Sequence, residues 1–242
     1  MIPVRTTVPL RFPPIATYLL IAVNVVVFLL QISLPEHEQE MIVYLYGLVP
    51  ARFFHPAWAA RVGLPPGNYL PFVTNIFMHG GWLHLILNMW TLWLFGGAVE
   101  DRLGSLRYLL FYLLCGIAAS AAHAFVNADS SVPALGASGA IAGVLGAYMR
   151  FFPLSNVLIL VPIVFIPLFF TLPAIVYIAL WFFINLLQGT LASNADGVAW
   201  WAHIGGFAAG MVLASIMMPP RRSYRSYYRD EGVLGFRVRG ER

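Results

Sequence analysis

The stretch that decides the fold reads Leu135-Gly136-Ala137-Ser138-Gly139-Ala140-Ile141-Ala142-Gly143, where a polar loop turns into an apolar helix. Two interpretations fit it. Small residues favour close helix packing, and a serine is buried cheaply because its hydroxyl can bond a carbonyl of its own helix. Alternatively, Gly136 permits a tight turn, and the Ser138 hydroxyl lies beside the unpaired N–H groups that open a helix. That second arrangement is the local geometry of a nucleophile with an oxyanion hole.

The composition indicates a protein that crosses a membrane several times. The chain has 242 residues, of which 60% are hydrophobic and 10% charged, whereas soluble domains carry about a quarter charged residues. The apolar runs are too long and continuous for barrel strands, and a bilayer core of about 30 Å takes roughly 20 apolar residues per helix. The single cysteine, Cys115, lies inside one run and excludes an intrachain disulfide.

The apolar runs predict an all-α bundle of six transmembrane helices. The run 156–188 could hold one span or two, because prolines interrupt it. With one span, every arginine except Arg52 and Arg61 lies on the same side, so we expect 156–170 to be interfacial or re-entrant. The predicted spans are 15–34, 78–98, 105–126, 136–152, 171–189 and 198–217.

The sequence divides into three regions. Residues 1–14 are predicted to be an irregular cytoplasmic lead-in, and 15–217 a membrane domain with a long first loop at 35–78. The tail, 218–242, is rich in arginine, which is more typical of an anchor at an anionic leaflet than of a nucleic-acid site. We therefore expect a protein of a bacterial plasma membrane with both termini cytoplasmic, and no nucleic-acid partner.

This topology places several polar side chains at one depth. His84, Asn88 and Thr91 share a helical face, and Ser138 and His203 lie near the starts of helices that enter from the same side. The small residues that would let the serine and histidine helices touch are Gly139, Ala142, Gly143, Gly206 and Gly210.

The matching chemistry is nucleophilic attack by Ser138, with His203 as general base and then general acid. His84, Asn88 and the Ser138 N–H would stabilise the oxyanion. No carboxylate is predicted within the membrane beside His203, so the residues indicate a dyad. Zinc bound by His79, His84 and His203 is the metal alternative, but a His-Glu-x-x-His pattern and an acidic third ligand are missing from the sequence. We expect neither metal nor cofactor.

Over residues 72–215 the chain resembles the rhomboid intramembrane serine proteases. Four motifs carry the resemblance: His79-Gly80-Gly81-Trp82-Leu83-His84 with Asn88; Gly97-Ala98-Val99-Glu100-Asp101-Arg102-Leu103-Gly104; Gly136-Ala137-Ser138-Gly139; and Ala202-His203-Ile204-Gly205-Gly206 with Gly210. The resemblance implies the roles above for Ser138, His203, His84 and Asn88. It further implies that His79 is structural and that Glu100 and Arg102 brace the first loop.

Two positions depart from the family's pattern. Many relatives have a tyrosine stacked on the histidine where this chain has Ala142, so another side chain must hold the His203 ring. Many also have a Trp-Arg pair where Leu70 and Pro71 stand, which leaves the anchoring of the first loop to other residues.

The resemblance implies cleavage of single-pass transmembrane proteins within or near their membrane segment, through an acyl-enzyme in the bilayer. The alternative is a catalytically silent rhomboid-like protein that binds transmembrane clients; such relatives typically lack the serine or the histidine. A transporter fits less well, because the halves show no inverted repeat. The sequence leaves the oligomeric state open.

Overall fold

The computed structural model of the chain describes residues 2–163, 166–191 and 199–219. The predicted tail, 218–242, lies outside these ranges apart from its first two residues. The helices are α1 (Ile15–Ser33), α2 (Glu36–Tyr46), α3 (Ala51–Phe54), α4 (Pro56–Arg61), α5 (Pro71–Thr74), α6 (Trp82–Leu103), α7 (Ser105–Val126), α8 (Ser138–Phe151), α9 (Ala174–Leu191) and α10 (Trp200–Ile216), with a 3₁₀ turn at Asn75–Phe77. The strands are β1 (Ile2–Thr6), β2 (Asn156–Ile163) and β3 (Ile166–Pro173).

Each of the six predicted spans contains one long helix. Among the described residues, α1, α6 and α7 are long and apolar enough to cross a membrane, while α9 and α10 are shorter apolar helices. Helix α8 has 14 residues and ends just before Pro153, which cannot continue a helix. The presence of six helices is confirmed, and the number that cross the bilayer stays a prediction.

Helix α8 lies between α7 and α10 because glycines remove the side chains that would hold these helices apart. A Cβ on Gly206 would overlap the carbonyl oxygen of Gly139, and one on Gly210 would overlap that of Gly143. On the α7 side, a Cβ on Gly143 would lie 2.5 Å from the Cys115 sulfur. The predicted small-residue contact between α8 and α10 is therefore confirmed, as backbone packed on backbone.

The expectation of an all-α fold is wrong in one region. β1 pairs antiparallel with β2, and β2 with β3, which forms a three-stranded sheet. Residues 1–14 thus contribute a strand instead of a wholly irregular lead-in, and the described residues of 156–170 lie in the paired strands β2 and β3. The interfacial or re-entrant placement of this segment stays a prediction. β-Branched residues such as Val157, Ile159 and Val161 favour strands, and the prolines at 162, 167 and 173 disfavour a helix.

Arg52 holds the first loop together, in place of the family's Trp-Arg pair. Its side chain is fully buried, and it donates from Nε to the Pro65 carbonyl at 3.1 Å and from Nη1 to the Leu45 carbonyl at 3.0 Å. An antiparallel bridge between Leu48 and Ala134 ties this loop to the segment that precedes α8. The loop is therefore anchored to the chain that leads into Ser138.

Glu100 and Arg102 do not brace the first loop, so that expectation is wrong. The buried Glu100 carboxylate accepts hydrogen bonds from the Ala16 and Thr17 N–H groups at 2.9 and 2.8 Å, at the start of α1. The Arg102 guanidinium lies over the rings of Phe151 and Phe152. Both contacts are at the C-terminal end of α6, whereas the first loop leads into its N-terminal end. α1 has no side-chain cap of its own, so Glu100 supplies the negative charge that its N-terminus favours.

Candidate active site

Ser138 and His203 meet at one end of the bundle, called the Ser138 end below. Ser138 is the first residue of α8 and His203 lies in the first turn of α10, and the glycine contacts bring these helices together. The distance from Ser138 Oγ to His203 Nε2 is 2.8 Å, which is a hydrogen bond. The two helices thus bring together the hydroxyl and the imidazole that the sequence predicts to be partners.

The other ring nitrogen of His203 contacts an asparagine on a third helix. His203 Nδ1 lies 2.6 Å from Oδ1 of Asn185, a buried residue of α9. The Asn185 amide donates in turn to the Trp181 carbonyl at 2.8 Å. The one signal in the sequence was a polar residue inside an apolar helix, which indicates a hydrogen bond and does not say to what.

Two tryptophans flank the His203 ring where a family tyrosine is missing. The Trp181 ring centroid is 5.8 Å from that of His203, and the Trp200 ring meets it edge-on at 6.0 Å. The expectation that another side chain holds this ring is confirmed. Trp181 also packs against the hydrophobic core and lines the cavity described below.

His84 and Asn88 approach the turn that precedes Ser138. Gly136 has φ of +123°, a conformation that favours glycine, and its N–H donates to the Asn75 carbonyl at 2.9 Å. A Cβ at Gly136 would lie 2.7 Å from His84 Nε2 and 3.7 Å from Asn88 Nδ2. Only glycine therefore lets this backbone lie against both side chains.

These residues share a cavity of about 460 Å³. Polar and apolar side chains both line it, and it is open at the surface. Within the described part of the chain, neither His84 nor Asn88 makes a side-chain hydrogen bond. The lining residues are His84, Leu87, Asn88, Thr91, Leu135, Ser138, Ile141, Leu145, Trp181, Ala199, Trp200 and His203.

His79 lies behind this cavity and does not line it. The ring is fully buried, packs edge-on against His84 at 5.2 Å between centroids, and makes no hydrogen bond with any described residue. Burial, and secondarily the charge of His84, lowers the pKa of His79 to about 4. Gln31 holds the backbone, because its Nε2 donates to the His79 carbonyl at 2.9 Å. The position fits the structural role that the resemblance implies.

The described residues contain no group of three histidine, cysteine, aspartate or glutamate side chains arranged to hold a metal ion. What the site offers chemically is a hydroxyl, an imidazole and amide donors around a cavity within an apolar helical bundle. This set defines a class: a polytopic membrane protein with a half-buried serine–histidine pair among its helices.

A family model described as Rhomboid domain matches residues 66–220. The chain belongs to the rhomboid family, and it is an integral membrane protein. Its fold is mostly helical and includes a small sheet, two strands of which lie within the matched residues.

Several relatives are about one third identical to this chain over the aligned residues. Rhomboid protease GluP of Bacillus subtilis (strain 168) is 35% identical over 211 residues, which are 86% of this chain and 36% of that protein. RHOMBOID-like protein 6, mitochondrial, of Arabidopsis thaliana is 33% identical over 170 residues, which are 70% of this chain and 50% of that protein. Rhomboid protein 1, mitochondrial, of Saccharomyces cerevisiae is 29% identical over 151 residues, covering 58% of this chain and 39% of that protein. The chain thus spans half or less of the length of these relatives.

Proposed function

We propose that this chain is an intramembrane serine endopeptidase that cleaves transmembrane proteins within or near their membrane segment. The observation that carries the proposal is the 2.8 Å contact between Ser138 Oγ and His203 Nε2 beside a cavity among apolar helices. The name of the relative GluP, a rhomboid protease, supports the same reaction class.

In the first half of the reaction, Ser138 Oγ attacks the scissile carbonyl carbon while its proton passes to His203 Nε2. The carbonyl oxygen becomes an oxyanion, which the Ser138 N–H and the side chains of His84 and Asn88 stabilise. His203 then gives the proton to the leaving amine nitrogen, the C–N bond breaks, and an ester of Ser138 remains. Ser138 and His203 thus transfer the proton, and three hydrogen-bond donors stabilise the negative charge of the oxyanion.

In the second half, water attacks the ester carbonyl while His203 Nε2 takes a proton from it. The tetrahedral intermediate collapses, the C–O bond to Ser138 breaks, and Oγ regains the proton from His203. Water must therefore reach the depth of Ser138, and the polar face of α6 with His84, Asn88 and Thr91 supplies a path. This cycle uses no cofactor and no metal.

The substrates are single-pass transmembrane proteins that reach the cavity from the bilayer. We place the chain in a bacterial plasma membrane with both termini cytoplasmic and Ser138 near the outer surface, because this orientation keeps most arginines inside. A topology reporter fused after Met218 tests the orientation. A reporter active only on the outer side would contradict it and would require 156–170 to cross the bilayer.

Purified protein, a fluorophosphonate probe and a single-pass transmembrane test substrate test the activity. We expect the wild type to be labelled and to cleave, and Ser138→Ala and His203→Ala to lose both while keeping their thermal stability in detergent. A chelator should leave cleavage unchanged. Cleavage by Ser138→Ala near the wild-type rate would disprove the proposed nucleophile. A wild type that binds the test protein but neither labels nor cleaves would favour the silent client-binding alternative.

A further inference from the structure

We propose that Asn185 is a positioning residue that selects the tautomer of His203 and so makes it a base toward Ser138. The inference rests on the proposed function. It is carried by two hydrogen bonds of one amide: Asn185 Oδ1 lies 2.6 Å from His203 Nδ1, and Asn185 Nδ2 donates to the Trp181 carbonyl at 2.8 Å. With the Ser138–His203 contact they form a chain of hydrogen bonds. It runs from the Trp181 carbonyl through the Asn185 amide and the His203 imidazole to the Ser138 hydroxyl.

The Trp181 carbonyl decides which way the Asn185 amide faces. A carbonyl oxygen only accepts hydrogen bonds, so the NH₂ group must be on that side and Oδ1 on the side of the imidazole. Oδ1 also only accepts, and His203 must therefore carry its proton on Nδ1. A neutral imidazole with a proton on Nδ1 has its lone pair on Nε2, which is the atom that faces Ser138.

The opposite tautomer would be inactive. With the proton on Nε2, His203 could donate to the Ser138 hydroxyl but could not take its proton, so the attack would lack a general base. When His203 becomes an imidazolium, both nitrogens donate, and Asn185 Oδ1 continues to accept from Nδ1. Asn185 therefore favours the reactive form before attack and the protonated form after it.

The hydrogen bond from His203 to Asn185 also makes the tautomer of the general base depend on a third helix, α9. Ser138 is on α8 and His203 on α10, and these two helices are held together backbone to backbone by their glycines. Asn185 is on α9, whose contacts with His203 run through the side chains of Trp181 and Asn185. A shift of α9 would break the 2.6 Å hydrogen bond while leaving the Ser138–His203 helices in place.

The test compares the full-length variants Asn185→Leu, which has a similar volume and no acceptor, and Asn185→Asp, which keeps an acceptor. The readout is the rate at which a fluorophosphonate labels Ser138 in detergent. We expect Asn185→Leu to label at least about tenfold more slowly at neutral pH, a part of the roughly 10²- to 10⁴-fold that a general base contributes. Asn185→Asp should recover most of that rate.

The pH profile separates positioning from packing. A carboxylate at position 185 stabilises the imidazolium, so the acidic limb of the labelling rate should move to higher pH in Asn185→Asp. The other titratable side chains whose charge reaches His203 are His84 and His123, and neither changes in these variants. Packing that does not involve contact with the His203 ring would change the amount of folded protein without moving the limb.

Asn24 provides a matched control. It is also a buried asparagine in an apolar helix, its Nδ2 donates to the Leu20 carbonyl four residues earlier at 2.7 Å, and it does not line the cavity. Asn24→Leu should label at close to the wild-type rate once corrected for folded protein.

Labelling of Asn185→Leu at the wild-type rate would overturn the inference. So would an acidic limb of Asn185→Asp at the same pH as that of the wild type. If Asn185→Leu does not fold, the limb of Asn185→Asp decides alone. Labelling that persists in Ser138→Ala would instead overturn the proposed nucleophile, so the two failures are distinguishable.

Discussion

At the C-terminal end of α6 a buried carboxylate is fully engaged in hydrogen bonds, whereas at the Ser138 end the polar side chains of the same helix face an open cavity. Glu100 accepts four hydrogen bonds, from Ala16 N, Thr17 N, Thr17 Oγ1 and Ser105 Oγ. His84 and Asn88 make no side-chain hydrogen bond with any described residue and line the cavity beside Ser138. Unused hydrogen-bonding capacity that faces a cavity, and not burial alone, separates a candidate functional polar group from a structural one.

Three substitutions test this comparison, and the one at Asn88 should have the largest effect in free energy. Loss of one oxyanion donor typically lowers kcat by about 10²- to 10³-fold, roughly 3 to 4 kcal/mol. We expect Asn88→Ala to lower kcat by that factor and to raise KM little, because the ground-state carbonyl needs the donor less. Asn88→Asp should be at least as harmful, since a carboxylate cannot donate and repels the oxyanion. Steady-state cleavage of a transmembrane test substrate measures both constants.

Thr91 is the matched variant for Asn88, because it lies on the same face of α6 and its hydroxyl already donates to the Leu87 carbonyl at 2.8 Å. Thr91→Val should therefore change kcat far less than Asn88→Ala. An Asn88→Ala enzyme with normal kcat would assign Asn88 to packing and leave His84 and the Ser138 N–H as the oxyanion hole.

Glu100→Ala should damage stability instead of turnover. The substitution removes the acceptors of the N–H groups that begin α1, and hydrogen bonds to a charged group contribute about 1.5 to 3 kcal/mol each. We expect the free energy of unfolding to fall by about 3 kcal/mol, as measured by denaturant titration in detergent, while kcat per fluorophosphonate-reactive site stays near wild type.

Asp101→Asn is the control for Glu100→Ala, since the hydrogen bond that Asp101 accepts from Phe12 N is longer, at 3.2 Å, and lies in an exposed setting. It should lower the free energy of unfolding much less. A Glu100→Ala protein that is stable but inactive would contradict the structural role assigned to Glu100 at the C-terminal end of α6.

The sequence predicted the helices well and the side-chain partners less well. Ser105–Val126 forms one helix with the predicted bounds, because a run of about 20 apolar residues has few alternatives in a bilayer. The paired strands Asn156–Ile163 and Ile166–Pro173 were not predicted, since a continuous apolar run fits a buried strand as well as a helix.

Partners across helices depend on packing that local patterns do not encode. The motifs predicted Ser138 and His203 as a pair, and their helices do meet. Asn185 had no spacing relation to His203, and the partner of Glu100 proved to be the start of α1 instead of the first loop. A polar residue in an apolar helix predicts that a hydrogen bond exists, while the identity of its partner comes only from the structure.

His79 sharpens the comparison because its ring nitrogens are unpaired among the described residues, yet the ring does not line the cavity. The fold accommodates it as a neutral imidazole. Burial, with a smaller contribution from the charge of His84, lowers its pKa from 6.5 to about 4. Between these values the unfolded chain binds a proton that the folded protein does not. The stability that this histidine contributes is therefore complete above pH 6.5 and falls as the pH drops toward 4.

His79→Gln should remove this acid sensitivity, which is the smallest of the three effects. At pH 5.5 the wild type should have lost about 1 kcal/mol of its free energy of unfolding through His79, relative to neutral pH. We expect the wild-type Tm in detergent to fall between pH 7 and pH 5 more steeply than that of His79→Gln, with the difference opening as the pH falls. Other titrating groups are common to both proteins, so the difference reports His79 alone. Parallel Tm profiles would contradict this expectation, because they would mean that the His79 ring binds a proton or a hydrogen-bond partner in the folded protein.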